Sequence, residues 1–170
     1  IRCFINTEKH GLYISKDANL FKEWNLLPMP EDWQKVNAFG LSKFRKDFLM
    51  AGLDGRGIIK TENQALNWSP INSGLNANWI TDFIIDLNDQ NTFYLTSYSS
   101  VFISNNKGKS WTQSYKGLPN ANISSIIQNP SNNSHFLVST KNETKLNTIG
   151  DGLYESLDNM KTWKKISSFS

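Results

Sequence analysis

The chain has one cysteine in 170 residues, Cys3, so no disulfide can form within it. In the run Cys3-Phe4-Ile5 the thiol reads as a small buried hydrophobe. Histidine is confined to His10 and His135, with no paired cysteine or clustered carboxylates, which gives no metal-site spacing. No glycine-rich phosphate loop or Gly-x-Ser-x-Gly elbow is present, and no cofactor or metal is expected. No apolar run approaches the roughly 18 residues of a membrane span. Arginine occurs only as Arg2, Arg45 and Arg56, and the formal charge is +3. Scattered lysines such as Lys141, Lys145, Lys161, Lys164 and Lys165 read as a solvated face, and no nucleic-acid partner is expected. No stretch longer than a turn or two has a helical period. With 38% hydrophobic residues the chain can still bury a core.

What the sequence does contain is an internal repeat. Four times a hydroxyl residue is followed by a turn-like stretch that closes on tryptophan: Ser15 to Trp24, Thr61 to Trp68, Ser104 to Trp111 and Ser156 to Trp163. The step is 7 residues in the last three copies and 9 in the first, and the tryptophans lie 44, 43 and 52 residues apart. That spacing lies at or just above the period of a four-stranded propeller blade. Phe93-Tyr94-Leu95-Thr96-Ser97 overlays Phe136-Leu137-Val138-Ser139-Thr140, and Phe48 to Gly52 overlays Cys3 to Thr7. A third element recurs at Gly11 to Ser15, Gly57 to Thr61, Val101 to Ser104 and Gly152 to Ser156, and Ile80 to Ile84 overlays Ile123 to Ile127. These runs are short, β-branched and aromatic, and bounded by turn residues, so the spacing predicts an all-β chain.

The copies resemble the BNR or Asp-box repeat of β-propellers, Ser-x-Asp-x-Gly-x-x-Trp. Val101 to Pro119 and Gly152 to Trp163 match it closely, and Gly74-Leu75 and Gly117-Leu118-Pro119 stand as linkers between repeats. Asp17 and Asp158 hold the acidic position, Asn63 and Asn106 replace it in the other copies, and Ala65 and Met160 stand where Gly108 supplies the glycine. In such a turn the Asp or Asn accepts backbone N–H groups, the glycine tolerates positive φ, and the tryptophan plugs the gap between blades. The resemblance implies that the boxes lie away from any active centre and that the protein is extracytoplasmic. The bias toward Asn, Ile, Lys and Ser adds a hint of a bacterial source.

Room for four strands exists in 33–71, 78–116 and 121–168, whereas 1–27 supplies three. About three and three-quarter blades of four antiparallel strands are therefore expected, as part of a larger propeller of six to eight blades. The remaining blades or a second copy of the chain would be its neighbours, because an open stack exposes β edges that natural proteins avoid.

Function is less legible. Sialidases of this repeat type grip a carboxylate with three arginines, but Arg45 and Arg56 bracket one strand and cannot readily converge. Xyloglucan-active hydrolases of the same architecture use two aspartates, for which Asp54, Asp82, Asp86 and Asp151 are candidates. A binding or scaffold module for a protein or glycan would use the loops entering each first strand together with those between second and third strands. That face holds Trp33, Asp54, Arg56, Trp79, Tyr98 and the insertion from Lys141 through Lys145 to Asp151. Trp33 and Trp79 could equally pack between blades. The binding reading is the primary expectation, a polysaccharide-directed hydrolase the alternative, and a photosystem-assembly factor of the same repeat type a third.

Overall fold

The computed structural model describes residues 3–7, 11–15, 23–30, 33, 35–98, 100–141 and 152–167. Among these residues, fifteen strands form four antiparallel sheets in sequence order. The first sheet is β1 (Cys3–Thr7), β2 (Gly11–Ser15) and β3 (Asn25–Leu26). The second is β4 (Val36–Leu41), β5 (Leu49–Leu53), β6 (Gly57–Thr61) and β7 (Ser69–Pro70). The third is β8 (Ile80–Ile85), β9 (Phe93–Ser97), β10 (Val101–Ser104) and β11 (Thr112–Ser114). The fourth is β12 (Asn122–Asn129), β13 (Asn132–Lys141), β14 (Gly152–Ser156) and β15 (Lys164–Ser167). Each sheet is a meander, the layout of a propeller blade. The first has three strands among the described residues, and its β1 pairs with β2 as β5 pairs with β6, with Cys3 opposite Ser15 and Leu49 opposite Thr61.

The core lies between sheets rather than within them. Met50, Ile58 and Ile71 of the second sheet pack with Phe83, Phe93, Leu95, Phe102 and Trp111 of the third. Tyr94 and Val101 of the third pack with Ile126, Phe136, Val138, Tyr154 and Trp163 of the fourth. Side chains alternate along each strand, so one face of a sheet meets the preceding sheet and the other meets the next. The approach is close: a Cβ at Gly40 would stand 2.2 Å from the Phe83 ring.

The recurring turns have one geometry. Ser104 Oγ accepts from the Gly108 amide at 2.8 Å, and Asn106 Oδ1 accepts from the Ser110 amide at 2.9 Å. The second sheet repeats this with Ala65 to Thr61 (3.0 Å) and Asn67 to Asn63 (3.0 Å). The fourth does so with Met160 to Ser156 (2.9 Å) and Thr162 to Asp158 (2.9 Å). Ala65 (φ 70°) and Met160 (φ 63°) take the left-handed conformation of Gly108 (φ 79°). The replaced glycines therefore erode the motif without changing the turn, because two side-chain acceptors hold the backbone there. Asp17 lies outside the described residues.

The tryptophans fasten neighbouring sheets. The indole of Trp68 donates to Pro28 O at 2.8 Å, that of Trp111 to Ile71 O at 2.7 Å, and that of Trp163 to Ser114 Oγ at 3.0 Å. Trp111 and Trp163 are buried, and Trp68 and Trp24 are half-buried.

A bulge recurs that the sequence did not reveal. Register shifts fall between Val36 and Ala38, Ile80 and Asp82, and Ile123 and Ser125, each near the start of a sheet's first strand. The extra residue in the third sheet, Thr81, donates its hydroxyl to Ile123 O of the fourth at 2.5 Å. The bulge thus turns a side chain toward the next sheet, which is how such irregularities commonly serve a fold.

Candidate functional site

Because successive strands run antiparallel, every loop belongs to one of two ends. The residues entering β4, β8 and β12, and the turns β5–β6, β9–β10 and β13–β14, share the entry end. The turns β4–β5, β8–β9 and β12–β13, together with the Ser/Thr–Asx turns, share the opposite end. Trp33, Asp54, Arg56, Trp79, Tyr98 and Lys141 all fall at the entry end. Lys145 and Asp151 lie outside the described residues, as does the rest of the insertion after Lys141.

The structure separates these side chains by role. Trp33 packs against the cluster of Val36, Ala51, Leu53 and Ile59 in the second sheet, so it belongs to a core. Trp79 and Tyr98 instead remain 44% and 41% exposed, with ring centroids 5.8 Å apart and planes tilted by 46°. They line an open groove of about 260 Å³ with Asn76, Asn78, Ser97, Ser100 and Gln113. None of those five polar partners carries a charge. Gln113 Nε2 contacts Ser100 Oγ, and Ser97 Oγ donates to Ser100 O at 3.4 Å, which holds the β9–β10 turn beneath the rings. Sequence reasoning missed Asn76, Asn78, Ser100 and Gln113. Asn76 and Asn78 flank the tryptophan in the chain, but Gln113 comes from the outermost strand and only pairing brings it near.

One sheet away, the β5–β6 turn presents Asp54 and Arg56. Asp54 Oδ2 is ion-paired with Lys35 Nζ, while Oδ1 is buried and has no hydrogen-bond partner among the described residues. Lys35, two residues after Trp33, is a further group the sequence analysis overlooked. Arg56 is exposed, and its carbonyl accepts from Asn72 Nδ2 at 3.3 Å. The two patches are tied by the Gly57 amide, which donates to Asn78 O at 3.2 Å.

Asp82 and Asp86, two other candidate acids, hold sheets together. Asp82 Oδ2 accepts from Ser125 Oγ (2.8 Å) and the Ile126 amide (3.1 Å), both in the fourth sheet. Asp86 is buried at the opposite end. It accepts from Tyr94 OH (2.6 Å), Gln128 Nε2 (2.7 Å) and the Asn88 and Asp89 amides (2.7 and 2.9 Å). Burial raises its pKa, but the Tyr94 hydroxyl, the two amides and Gln128 outweigh burial and hold the carboxyl below its ordinary value. Every acceptor direction is engaged in structure. Tyr94 is pushed up in turn, by burial first and then by its bond to Asp86.

Arginine geometry excludes the three-arginine carboxylate grip within the described residues. Arg45 is at the opposite end from Arg56, bound to Asp47 (2.8 and 3.2 Å) and Glu62 (3.1 Å). No group of three or more metal-ligating side chains occurs among the described residues, and no helix there is long and apolar enough to cross a membrane.

No family model and no curated protein matches the sequence, but solved structures do. An ancestral GH74 enzyme superimposes with a TM-score of 0.76 at 16% identity, over 98% of this chain and 22% of that one. The GH74 xyloglucanase from Xanthomonas campestris gives 0.73 at 14% identity, over 98% of this chain and 29% of that one. YCF48 bound to D1 peptide gives 0.66 at 14% identity, over 96% and 49% respectively. The chain thus spans less than a third of the GH74 enzymes and about half of YCF48. At these identities the likeness is one of architecture, and the four meandering sheets are an arc of a β-propeller-type fold shared by hydrolytic and non-hydrolytic proteins alike.

Proposed function

We propose that this chain is a segment of an extracytoplasmic, polysaccharide-directed glycoside hydrolase built on the Asp-box repeat, and that its entry end contributes part of the glycan-binding face. The observation that carries this reading is the Trp79–Tyr98 pair. Large aromatic side chains left exposed on a rigid scaffold, ringed by neutral hydrogen-bonding groups, match the apolar C–H face and the hydroxyl rim of a pyranose. A groove of about 260 Å³ falls below the roughly 300 Å³ of a complete ligand site, so it serves as one subsite of a longer cleft. Its uncharged lining favours a neutral polysaccharide over an acidic one.

Among the described residues, Asp54 is the candidate acid left available for chemistry. It stands at the same end, one sheet from the aromatic pair, with an oxygen that no described donor satisfies. Beside Lys35 it suits the role of base or nucleophile, and the proton donor would come from outside the described residues. The structural likeness to GH74 enzymes supports this reading.

A second reading is a non-hydrolytic binding module for a protein or glycan partner. It is favoured by the use of Asp82 and Asp86 in holding sheets together, which leaves Asp54 as the single candidate acid among the described residues. Affinity electrophoresis of this chain in xyloglucan and in mixed-linkage β-glucan tests the platform. Retardation is expected, with affinity reduced at least about tenfold, or 1.4 kcal/mol, by Trp79→Ala or Tyr98→Ala and unchanged by Asp54→Asn. Free migration in every neutral polysaccharide would refute the glycan platform. In the full-length protein, hydrolysis that survives Asp54→Asn would remove Asp54 from the chemistry, and retention of a polysaccharide without any hydrolysis of it would leave only the binding module.

A further inference from the structure

We infer that the glycan-binding groove continues outward across the third sheet, and that Tyr115 holds the polysaccharide at its outer end. This deepens the glycan reading and rests on its aromatic platform, not on Asp54. The groove's lining follows the strand order. Trp79 stands just before β8, Ser97 and Tyr98 at the end of β9, Ser100 just before β10, and Gln113 in β11. The sheet is ordered β11-β10-β9-β8, so these residues cross it from first strand to last. With roughly 4.8 Å between paired strands, the crossing is about 14 Å, the length of about three pyranose rings.

One wall of the groove runs the same way. The linker from the second sheet leaves its outermost strand after Pro70 and passes the outermost strand of the third, where the Trp111 amide donates to Ser73 O at 3.2 Å. It then reaches β8 through Asn76 and Asn78, and it meets the Gly57 amide at Asn78 O. The linker therefore bounds the groove on the side of the second sheet and directs it toward the rim.

Tyr115 comes next along this path. Val101 pairs with Ser114 and Phe102 with Gln113, so one further step of register sets Tyr115 opposite Ser100, and alternation gives it the face of Gln113. Its counterpart in the second sheet is Asn72, because the Leu75 amide donates to Asn72 O at 2.9 Å as the Leu118 amide donates to Tyr115 O at 2.9 Å. Asn72 clamps its neighbouring turn, accepting from the Ile58 amide (2.8 Å) and donating to Arg56 O (3.3 Å). In the third sheet Gln113 braces Ser100 instead, and Tyr115 is 63% exposed. The second and fourth sheets cover both faces of the third, so this exposure belongs to the entry end itself. A phenol ring so placed can stack on the apolar face of a sugar while its hydroxyl meets the rim.

Calorimetric titration with fragments of mixed-linkage β-glucan and of xyloglucan, with backbones of two and of four sugars, tests the path. The longer fragments should bind the parent more tightly. Tyr115→Ala should weaken their binding by at least about fivefold and leave the shorter fragments unaffected, while Tyr115→Phe should retain the gain with length. Trp79→Ala should weaken both lengths. Longer fragments that bind Tyr115→Ala as they bind the parent would overturn the inference and leave the platform standing. So would a gain with length that is lost in Arg56→Ala and kept in Tyr115→Ala, because the polysaccharide would then cross toward the second sheet. No binding of any fragment, or binding indifferent to Trp79→Ala, would overturn the platform and this inference with it.

Discussion

At the residue scale, the molecule depends on side chains that complete backbone geometry across gaps. Trp111 is 6% exposed and its indole donates to Ile71 O in the preceding sheet. Truncation there removes a large ring from the core and leaves a buried carbonyl unpaired. Trp111→Ala should therefore cost about 3–5 kcal/mol, read as a lowered midpoint in urea. A variant that unfolds with the parent would mean that the ring does not fasten the sheets. The same reasoning explains why two aspartates that look catalytic in the sequence are structural. Asp82 and Asp86 reach across to the fourth sheet, and donors occupy both oxygens of each.

At the scale of the element, the Ser/Thr–Asx turns differ in one respect that pH exposes. The Asp158 carboxyl is held at about 2 from an ordinary value of 3.8 by the Thr162 hydroxyl, the Thr162 amide and the Ser156 hydroxyl. A depressed folded pKa means that the turn's stabilisation is complete above the unfolded value and disappears as pH falls through about 2. Asn63 and Asn106 fill the same position in the other described turns and do not titrate. Amide exchange at Met160 and Thr162 should therefore accelerate between roughly pH 4 and pH 2, while that at Ala65 and Gly108 should show no such extra step. Asp158→Asn should abolish the difference. Parallel loss in all three turns, or an unchanged profile in the variant, would contradict this account.

For the whole molecule, cohesion rests on the linkers between sheets. Gly117 takes φ +94°, and a Cβ there would stand 2.0 Å from the Trp163 carbonyl oxygen. The Trp163 amide meanwhile donates to Lys116 O at 2.8 Å. Gly117→Ala combines a left-handed backbone with a clash against main chain, so a cost of at least about 1–3 kcal/mol is expected. It should fall on the junction of the third and fourth sheets. Calorimetry should then resolve two transitions where the parent shows one. A single transition shifted by less than about 0.5 kcal/mol would show that the fourth sheet does not depend on this linker.

The sequence by itself determined the architecture, because a repeat states it four times. Alternating apolar runs place strands, and the Trp spacing places sheets, so Phe93–Ser97 and Gly152–Ser156 were legible as strands without coordinates. The eroded positions Ala65 and Met160 were legible as turn residues too, since spacing outlasts identity. Tertiary structure alone decided the roles of individual polar and aromatic groups. Trp33 and Trp79 read alike in the chain, yet one packs in a core and the other stands open beside Tyr98, because what covers a side chain depends on the neighbouring sheet. Lys35 meets Asp54, and Gln113 meets Ser100, only through strand pairing. Asp54, Asp82 and Asp86 are the same residue type in similar surroundings of sequence. Donors contributed by another sheet leave one of them unsatisfied and occupy the other two, and no local pattern records where those donors lie.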